Sequence, residues 1–124
     1  MSKRILFIDD NLEMTLLISK FLQLKNYDVT VINDGKTGAH HILNQKYDAI
    51  LLDVSMPGIS GFDIIDDLVK QEKIRDHKII LLTAVELSKQ DIEELLKLGV
   101  YSCLLKPVEM SSLVYAIEGI PVSA

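Results

Sequence analysis

The chain contains little cysteine, proline or aromatic residue: its 124 residues include one cysteine, three prolines and no tryptophan. A single cysteine excludes an intrachain disulfide and is typical of a reducing compartment. No apolar run approaches the ~20 residues of a membrane span, and the apolar stretch after Lys3 and Arg4 is too short for a secretory signal. These absences predict a cytoplasmic protein that does not enter a membrane.

Positive charge is also scarce, because 13 Lys and Arg residues are set against 18 Asp and Glu residues and leave a net charge of -5. A chain with this balance has no electrostatic footprint for nucleic acid, so we expect no direct binding of DNA or RNA. The length corresponds to one domain that buries about two-thirds of its unfolded surface. Since no linker or repeat divides the sequence, residues 1–124 are predicted to form a single domain.

Four short apolar runs, in contrast, each end at a polar or charged side chain. They are residues 5–8 before Asp9 and Asp10, 49–52 before Asp53, 79–82 before Thr83, and 103–105 before Lys106. Continuous apolar runs separated by helical patterns are typical of parallel strands buried on both faces. Because ligands bind beyond the carboxyl ends of such strands, we expect three carboxylates, a hydroxyl and an ammonium to meet at one edge of a sheet.

The segments between these runs have the periodicity of amphipathic helices. After Asp10 the predicted inward stripe consists of Met14, Leu17, Ile18 and Phe21. A fifth run, residues 27–32, alternates polar and apolar side chains as a strand at the edge of a sheet does. Together the patterns predict an α/β fold, a doubly wound parallel sheet of five strands with helices on both faces.

A cluster of Asp9, Asp10 and Asp53 would be unstable alone, because neighbouring carboxylates repel one another. A hard divalent cation removes this repulsion. Oxygen ligands suit Mg²⁺, or Mn²⁺ in its place, and argue against zinc, which prefers histidine and cysteine. The sequence therefore predicts a Mg²⁺ site.

The same residues supply what phosphoryl transfer requires, namely a nucleophile, neutralisation of charge and donors that hold the group in line. Asp53 can attack, Lys106 and the metal can neutralise the phosphoryl oxygens, and Thr83 can donate a hydrogen bond. We therefore predict phosphoryl chemistry at this edge of the sheet.

The motifs occur in a fixed order: Asp9-Asp10, Asp53 with Met56-Pro57-Gly58 and Gly61, Thr83-Ala84, and Lys106-Pro107. With them the sequence resembles a response-regulator receiver domain of two-component signalling, over essentially its whole length. The resemblance implies the flavodoxin-like strand order 2-1-3-4-5 and a signalling domain that is not an enzyme for separate substrates. It also implies a sensor histidine kinase or a histidine phosphotransfer protein as phosphoryl donor, and a downstream protein as target.

Position by position, the resemblance implies that Asp53 is the phosphorylated residue. Asp10, Asp53 and the backbone carbonyl of Ser55 would bind Mg²⁺ directly, with Asp9 acting through water. The resemblance thus assigns the metal to two parts of the chain, residues 9–10 and 53–55.

The resemblance also implies which groups stabilise the phosphoryl group. Thr83 and the backbone amide of Ala84 would donate hydrogen bonds to the phosphoryl oxygens, and Lys106 would form a salt bridge with them.

Cys103 occupies the switch position, where receiver domains usually carry an aromatic side chain three residues before the lysine. In the family this ring turns inward behind the threonine when the domain is phosphorylated, which a cysteine cannot do. We therefore expect phosphorylation to be retained while switching is lost or altered. On an extended strand Tyr101 would share the face of Cys103.

Two other functions remain open from the sequence. One is a receiver-like interaction module with weak or no phosphorylation-dependent switching. The other is a phosphatase of the haloacid-dehalogenase type, although such enzymes carry Asp-x-Asp at one strand end and the acids here are adjacent. We expect no output domain within residues 1–124, so the chain either acts alone or is the receiver part of a longer protein.

Overall fold

The computed structural model describes residues 2–119, which contain a central sheet of five parallel strands. The strands are β1 (Arg4–Ile8), β2 (Asp28–Ile32), β3 (Ala49–Asp53), β4 (Ile79–Thr83) and β5 (Ser102–Leu105). Their order across the sheet is β2-β1-β3-β4-β5. The predicted parallel sheet and its strand order are therefore confirmed.

Strand burial follows the sequence patterns. β1, β3 and β4 lie inside the sheet and are buried almost throughout, as unbroken apolar runs predict. β2, whose sequence alternates, forms one edge and is partly exposed, and β5 forms the other edge. Because all neighbouring strands are parallel, their carboxyl ends lie along one side of the sheet, which we call the carboxyl edge.

Five α-helices connect or follow the strands in the described residues. They are α1 (Leu12–Leu24), α2 (Gly35–Asn44), α3 (Gly61–Lys70), α4 (Lys89–Leu98) and α5 (Met110–Glu118), with a short 3-10 helix at Ile74–Asp76 before β4. Side chains of Asn11, Asp34, Ser60 and Ser88 accept hydrogen bonds from backbone amides at the starts of α1 to α4. α4 ends at Gly99, whose φ of 122° favours glycine.

The helices cover both faces of the sheet with two apolar layers. α1 and α5 pack on one face through residues such as Leu22 and Leu113. α2, α3 and α4 pack on the other through Ile42, Ile65 and Leu95. None of the helices within residues 2–119 has the length and apolar character needed to cross a membrane.

The predicted inward stripe of α1 is wrong at Leu17, which is 72% exposed. The residues that α1 buries are Thr15, Ile18, Ser19 and Leu22. The hydroxyls of Thr15 and Ser19 donate hydrogen bonds of 3.1 and 3.0 Å to backbone carbonyls of their own helix. Small polar side chains satisfied in this way can be buried, so the apolar pattern alone mispredicted the rotation of the helix.

Candidate functional site

The carboxyl edge carries the polar residues that follow the apolar runs. Asp53 and Thr83 are the last residues of β3 and β4, Asp9 directly follows β1, and Lys106 directly follows β5. The strand register keeps these ends level, with Asp53 beside Leu82. The fold thus brings together positions that are up to 97 residues apart in the sequence.

Three carboxylates form a cluster at this edge. Asp9, Asp10 and Asp53 each offer a carboxylate oxygen, and these oxygens lie within 4.8 Å of one another. Asp9 is fully buried and Asp53 is 3% exposed, whereas Asp10 is exposed. The cluster therefore has two buried carboxylates and one that is exposed to solvent.

Lys106 places its ammonium group between the two buried carboxylates. Its Nζ donates hydrogen bonds of 2.9 Å to Oδ2 of Asp9 and of 2.9 Å to Oδ1 of Asp53. The lysine side chain is itself only 18% exposed. Charge-assisted hydrogen bonds in such surroundings are stronger than neutral ones and hold all three side chains in place.

The charge balance at the site leaves negative charge uncompensated. Burial raises the pKa of the Asp53 carboxyl, and the charge of Asp9 adds to this rise, although the hydrogen bond from Lys106 opposes it. Burial alone would lower the pKa of Lys106, but its bonds to Asp53 and Asp9 outweigh that effect and raise it. The protonated lysine therefore meets two buried carboxylates, and a further positive charge would stabilise the ionised form of Asp53.

The oxygen donors at the site fit a hard divalent cation such as Mg²⁺ or Mn²⁺. All three clustered ligand groups are carboxylates, and neither histidine nor cysteine contributes to the cluster. Both carboxylate oxygens of Asp9 already accept hydrogen bonds, one from the amide of Asn11 at 3.0 Å and one from Lys106. Asp10 and the remaining oxygen of Asp53 are therefore the better placed to bind a cation directly.

Ser55 lies in the loop after β3, where the resemblance puts a metal-binding carbonyl. Ser55 is exposed, and its backbone amide opposes part of the rise in the pKa of the Asp53 carboxyl. The structure thus places Ser55 beside Asp53, and the role of its carbonyl stays a prediction.

The hydroxyl of Thr83 is engaged with the loop that follows β4. Its Oγ1 donates to the carbonyl of Val85 at 2.9 Å and accepts from the amide of Val85 at 3.1 Å. Ala84 is exposed between these two residues. For Thr83 to donate to a phosphoryl oxygen, its bond to the carbonyl of Val85 must first break.

Cys103 lies in β5 beside Leu81 and is partly buried against the core layer of α3 and α4. Burial raises the pKa of its thiol, so the thiolate is disfavoured there. Tyr101 precedes β5, and the centre of its ring lies 4.4 Å from the Nζ of Lys78. This contact is at the side of the sheet opposite the carboxyl edge. Tyr101 is therefore not positioned to replace the missing aromatic ring at Cys103.

Asn33 is a residue at the site that the sequence analysis did not identify. It follows β2, and its Nδ2 donates hydrogen bonds of 2.8 Å to the backbone carbonyl of Asp9 and 3.2 Å to Oγ1 of Thr15. In the sequence Asn33 reads as part of a turn before Asp34 and Gly35, so no local signal indicates these contacts.

Comparison with known proteins agrees with this architecture. A family model for the response regulator receiver domain matches residues 5–118. Over 119 residues the chain is 34% identical to the transcriptional regulatory protein CpxR homolog of Haemophilus influenzae, covering 94% of this chain and 49% of that protein. The chain therefore spans about half the length of this curated relative.

Two solved structures are similar over nearly the whole chain. The receiver domain of a Francisella response regulator has a TM-score of 0.86 at 28% identity, covering 96% of each chain. The receiver domain of a sensor histidine kinase from Pseudomonas aeruginosa PAO1 has a TM-score of 0.81 at 30% identity, covering 96% of this chain and 97% of that one. The latter is described with a magnesium ion coordinated in its active site cleft.

Proposed function

The chain belongs to the response regulator receiver domain family, and on this basis we propose that it accepts a phosphoryl group on Asp53 and acts as a signalling switch. The observation that carries the proposal is the position of Lys106, whose Nζ lies 2.9 Å from an oxygen of Asp53 and 2.9 Å from an oxygen of Asp9. A lysine held in this way can neutralise both the acceptor and the group that it accepts.

The proposed reaction takes the phosphoryl group from a phosphohistidine. An oxygen of the ionised Asp53 carboxylate forms a bond to phosphorus while the bond from phosphorus to the imidazole nitrogen breaks, and the released imidazole takes a proton from solvent. Mg²⁺, when bound by Asp10, Asp53 and the Ser55 carbonyl, supplies positive charge at the phosphoryl oxygens. Asp9 holds Lys106 and would contact the metal through water.

Residues on the neighbouring strands complete the proposed acceptor site. After the transfer, the ammonium group of Lys106 pairs with the phosphoryl oxygens instead of the Asp53 carboxylate. Lys106 can reach both groups because both lie at the carboxyl edge. Thr83 gives up its hydrogen bond to the carbonyl of Val85 and donates a hydrogen bond to the phosphoryl group instead, with the amide of Ala84 as a second donor. Exchange of one hydrogen-bond partner for another costs little net free energy, so the rearrangement is accessible.

The proposed partners are a sensor histidine kinase or a histidine phosphotransfer protein as donor and a protein as downstream target. The domain forms a stoichiometric aspartyl phosphate, so we propose that it is not an enzyme that turns over separate substrates. We propose that residues 1–124 are one domain and that the protein acts in the cytoplasm. A curated relative of about twice the length is a transcriptional regulatory protein. The net charge of -5 supports the proposal that residues 1–124 do not themselves bind DNA.

A second candidate function is an interaction module with altered switching, which the residue at position 103 favours. A cysteine side chain is much smaller than an aromatic ring. It therefore cannot fill a ring-sized space behind Thr83, nor empty one by moving away. In this candidate, phosphorylation of Asp53 changes the carboxyl edge without reshaping the face of α4 and β5.

The acceptor role is tested by incubating the protein with acetyl phosphate and Mg²⁺ and measuring its intact mass. We expect the wild type to gain the mass of one phosphoryl group and Asp53→Asn to gain none. Asp66→Asn, which alters an exposed carboxylate on α3, is the matched control and should be modified as the wild type is. Modification of Asp53→Asn to the wild-type extent would reject Asp53 as the acceptor.

A second assay, incubation with a phosphate ester and Mg²⁺ and measurement of released phosphate, separates the rival reaction class. A haloacid-dehalogenase-type phosphatase would release phosphate from an ester over many turnovers, whereas we expect at most one phosphoryl group per chain. Release of many equivalents from a phosphate ester, abolished by Asp53→Asn, would overturn the proposal in favour of the enzyme.

A further inference from the structure

The geometry points to Asn33 as a positioning residue that sets the affinity of the site for its divalent cation. We infer that its side-chain amide holds the peptide group between Asp9 and Asp10 and so presents the Asp10 carboxylate to the metal. This inference rests on the proposed function, because it concerns the Mg²⁺ site of that function.

The position of Asn33 follows from the pairing of β1 with β2. The last paired residues are Ile8 and Ile32, and the amide of Asp9 donates one more backbone bond of 3.1 Å to the carbonyl of Ile32. Asn33 is the next residue, at the point where β1 and β2 separate. There its Nδ2 donates to the carbonyl of Asp9 at 2.8 Å, so a side chain continues the connection between the strands at the carboxyl edge.

A second contact fixes the orientation of the Asn33 amide. Its Nδ2 also donates to Oγ1 of Thr15 at 3.2 Å. Thr15 is 2% exposed, and its hydroxyl donates onward to the carbonyl of Leu12 at 3.1 Å in α1. Since both protons of an amide nitrogen are then used, one orientation of the Asn33 side chain satisfies the set.

The held carbonyl matters because it belongs to the peptide group that leads into Asp10. The orientation of this peptide determines the direction in which the Asp10 side chain leaves the backbone. Asp10 is exposed, so its carboxylate has solvent on one side and depends on the backbone for its placement near Asp53. A ligand group that is already positioned loses less conformational entropy when the ion binds.

The experiment measures binding of Mn²⁺ directly, by the electron paramagnetic resonance signal of the free ion, with Mg²⁺ as competitor. Asn33→Leu keeps the approximate size of the side chain and removes the donor. Asn44→Leu is the matched control, because Nδ2 of Asn44 makes a similar bond of 2.8 Å to the carbonyl of His40 within α2.

We expect Asn33→Leu to raise the dissociation constant for Mn²⁺ about three- to tenfold, the effect of having to order one ligand side chain when the ion binds. Asn44→Leu should leave it within about twofold of the wild type. The Mg²⁺ concentration that gives half-maximal phosphorylation by acetyl phosphate should rise for Asn33→Leu by the same factor as the dissociation constant. A merely structural role would lower the stability of both variants and leave these two quantities unchanged.

Two further variants keep the inference open to rejection. Asn33→Ala adds no apolar bulk and should weaken metal binding to the same extent, which covers the case that the leucine variant does not fold. Thr15→Val removes the acceptor that orients Asn33 and should produce a smaller rise of the same sign. Unchanged Mn²⁺ binding in a folded Asn33 variant would overturn the inference.

Failure of the inference is distinguishable from failure of the proposed function. If the wild type binds neither Mn²⁺ nor Mg²⁺ and is not phosphorylated, the proposed function fails. If the wild type does both and the Asn33 and Asn44 variants bind metal equally, only the role of Asn33 is rejected.

Discussion

A single ammonium group offsets part of the negative charge of the two buried carboxylates at the carboxyl edge. Lys106 contacts Asp9 and Asp53, of which the first is fully buried and the second nearly so. Buried charges of this kind are costly when they lose their partner, even where the pair itself adds little stability. The lysine therefore has a structural role that can be measured apart from phosphorylation.

Replacing Lys106 with methionine keeps much of the side-chain length and removes the charge. Asp9 and Asp53 then stay buried without a cation, so we expect the free energy of unfolding of the metal-free protein to fall by about 3 kcal/mol. Lys70→Met, which breaks an exposed ion pair with Asp66, should cost far less than Lys106→Met. Urea unfolding measures both, and equal losses in the two variants would contradict the argument.

Tyr27, at the side of the sheet opposite the carboxyl edge, makes the free energy of unfolding depend on pH. Burial raises its pKa to about 12, with added effects from the hydrogen bond to Glu118 and from the charge of that residue. The folded state thus holds the phenol proton more tightly than the unfolded chain, in which a tyrosine pKa is about 10. The resulting stability is fully present below about pH 10 and is lost as the pH rises through about 12.

Tyr27→Phe lacks this proton, so the wild type should lose free energy of unfolding relative to the variant across that pH window. Urea unfolding of both proteins at stepped pH values measures the difference, in which the titration of other groups cancels. A difference that stays constant from pH 10 to pH 12 would show that the phenol does not titrate with a raised pKa.

At the scale of elements, the start of α3 is packed against the end of β3. A Cβ atom at Gly61 would overlap the carbonyl oxygen of Asp53 and lie 2.9 Å from the Cα of Val54. Both are backbone atoms, so a side chain at this position forces the loop between β3 and α3 to move. The absence of a side chain at Gly61 therefore allows the close packing that holds the backbone of Asp53 in place.

Gly61→Ala should lower the free energy of unfolding by about 2 kcal/mol through this overlap. Gly58→Ala is the control, because no atom lies within 4 Å of its Cβ position although its φ is 82°. The control should cost about 1 kcal/mol for the left-handed backbone alone. If urea unfolding shows that Gly61→Ala costs no more than Gly58→Ala, the close packing on β3 is not as described.

If Asp53 is phosphorylated as proposed, the loop after β4 and the strand β5 would determine whether the change reaches α4. Thr83 is bonded to the backbone of Val85, and Cys103 supplies no ring to move behind it. We therefore expect beryllofluoride with Mg²⁺ to shift the backbone amide NMR signals of the carboxyl edge strongly and those of α4 weakly. The expected pattern corresponds to retained phosphorylation with altered switching.

Cys103→Tyr tests the cause of this weak coupling. The added ring should enlarge the beryllofluoride shifts on α4, while Asp53→Asn should show no shifts with the same reagent. Large shifts on α4 in the wild type would contradict altered switching at Cys103.

At the scale of the whole molecule, the two edges of the sheet differ in how their charges are arranged. At the opposite side of the sheet, where the strands begin, Lys3 forms an ion pair with Glu118 at 3.1 Å. Lys78 donates a hydrogen bond of 2.6 Å to the carbonyl of Ile117 there. These contacts tie the start of the described residues to their end. The carboxyl edge instead gathers three carboxylates around one lysine. A bound cation should therefore stabilise the entire folded domain from this edge.

We expect Mg²⁺ at ten times its dissociation constant to raise the free energy of unfolding by about 1.4 kcal/mol. The gain follows because the unfolded chain does not hold the three carboxylates together. Asp10→Asn should lose most of it, and sodium chloride at equal ionic strength is the control for screening. An equal gain with sodium chloride, or in Asp10→Asn, would contradict binding at the acidic cluster.

Much of this architecture follows from local sequence patterns. The unbroken apolar runs identify β1, β3 and β4 because a strand buried on both faces needs apolar side chains at every position. The polar residue that ends each run then lies at the carboxyl edge in any parallel arrangement of these strands. For this reason the meeting of Asp9, Asp53 and Lys106 could be predicted without coordinates, whereas their roles in phosphorylation stay predictions.

Which side chains contact one another across separate elements depends on how those elements pack, and local patterns do not contain this information. The rotation of α1 depends on buried hydroxyls of Thr15 and Ser19 that bond within their own helix, which an apolar pattern cannot register. The contact of Asn33 with Asp9 joins residues 24 positions apart and depends on where β1 and β2 separate. Periodicity reports the environment averaged along one element, but a hydrogen bond between elements depends on their relative placement, which only the packed fold determines.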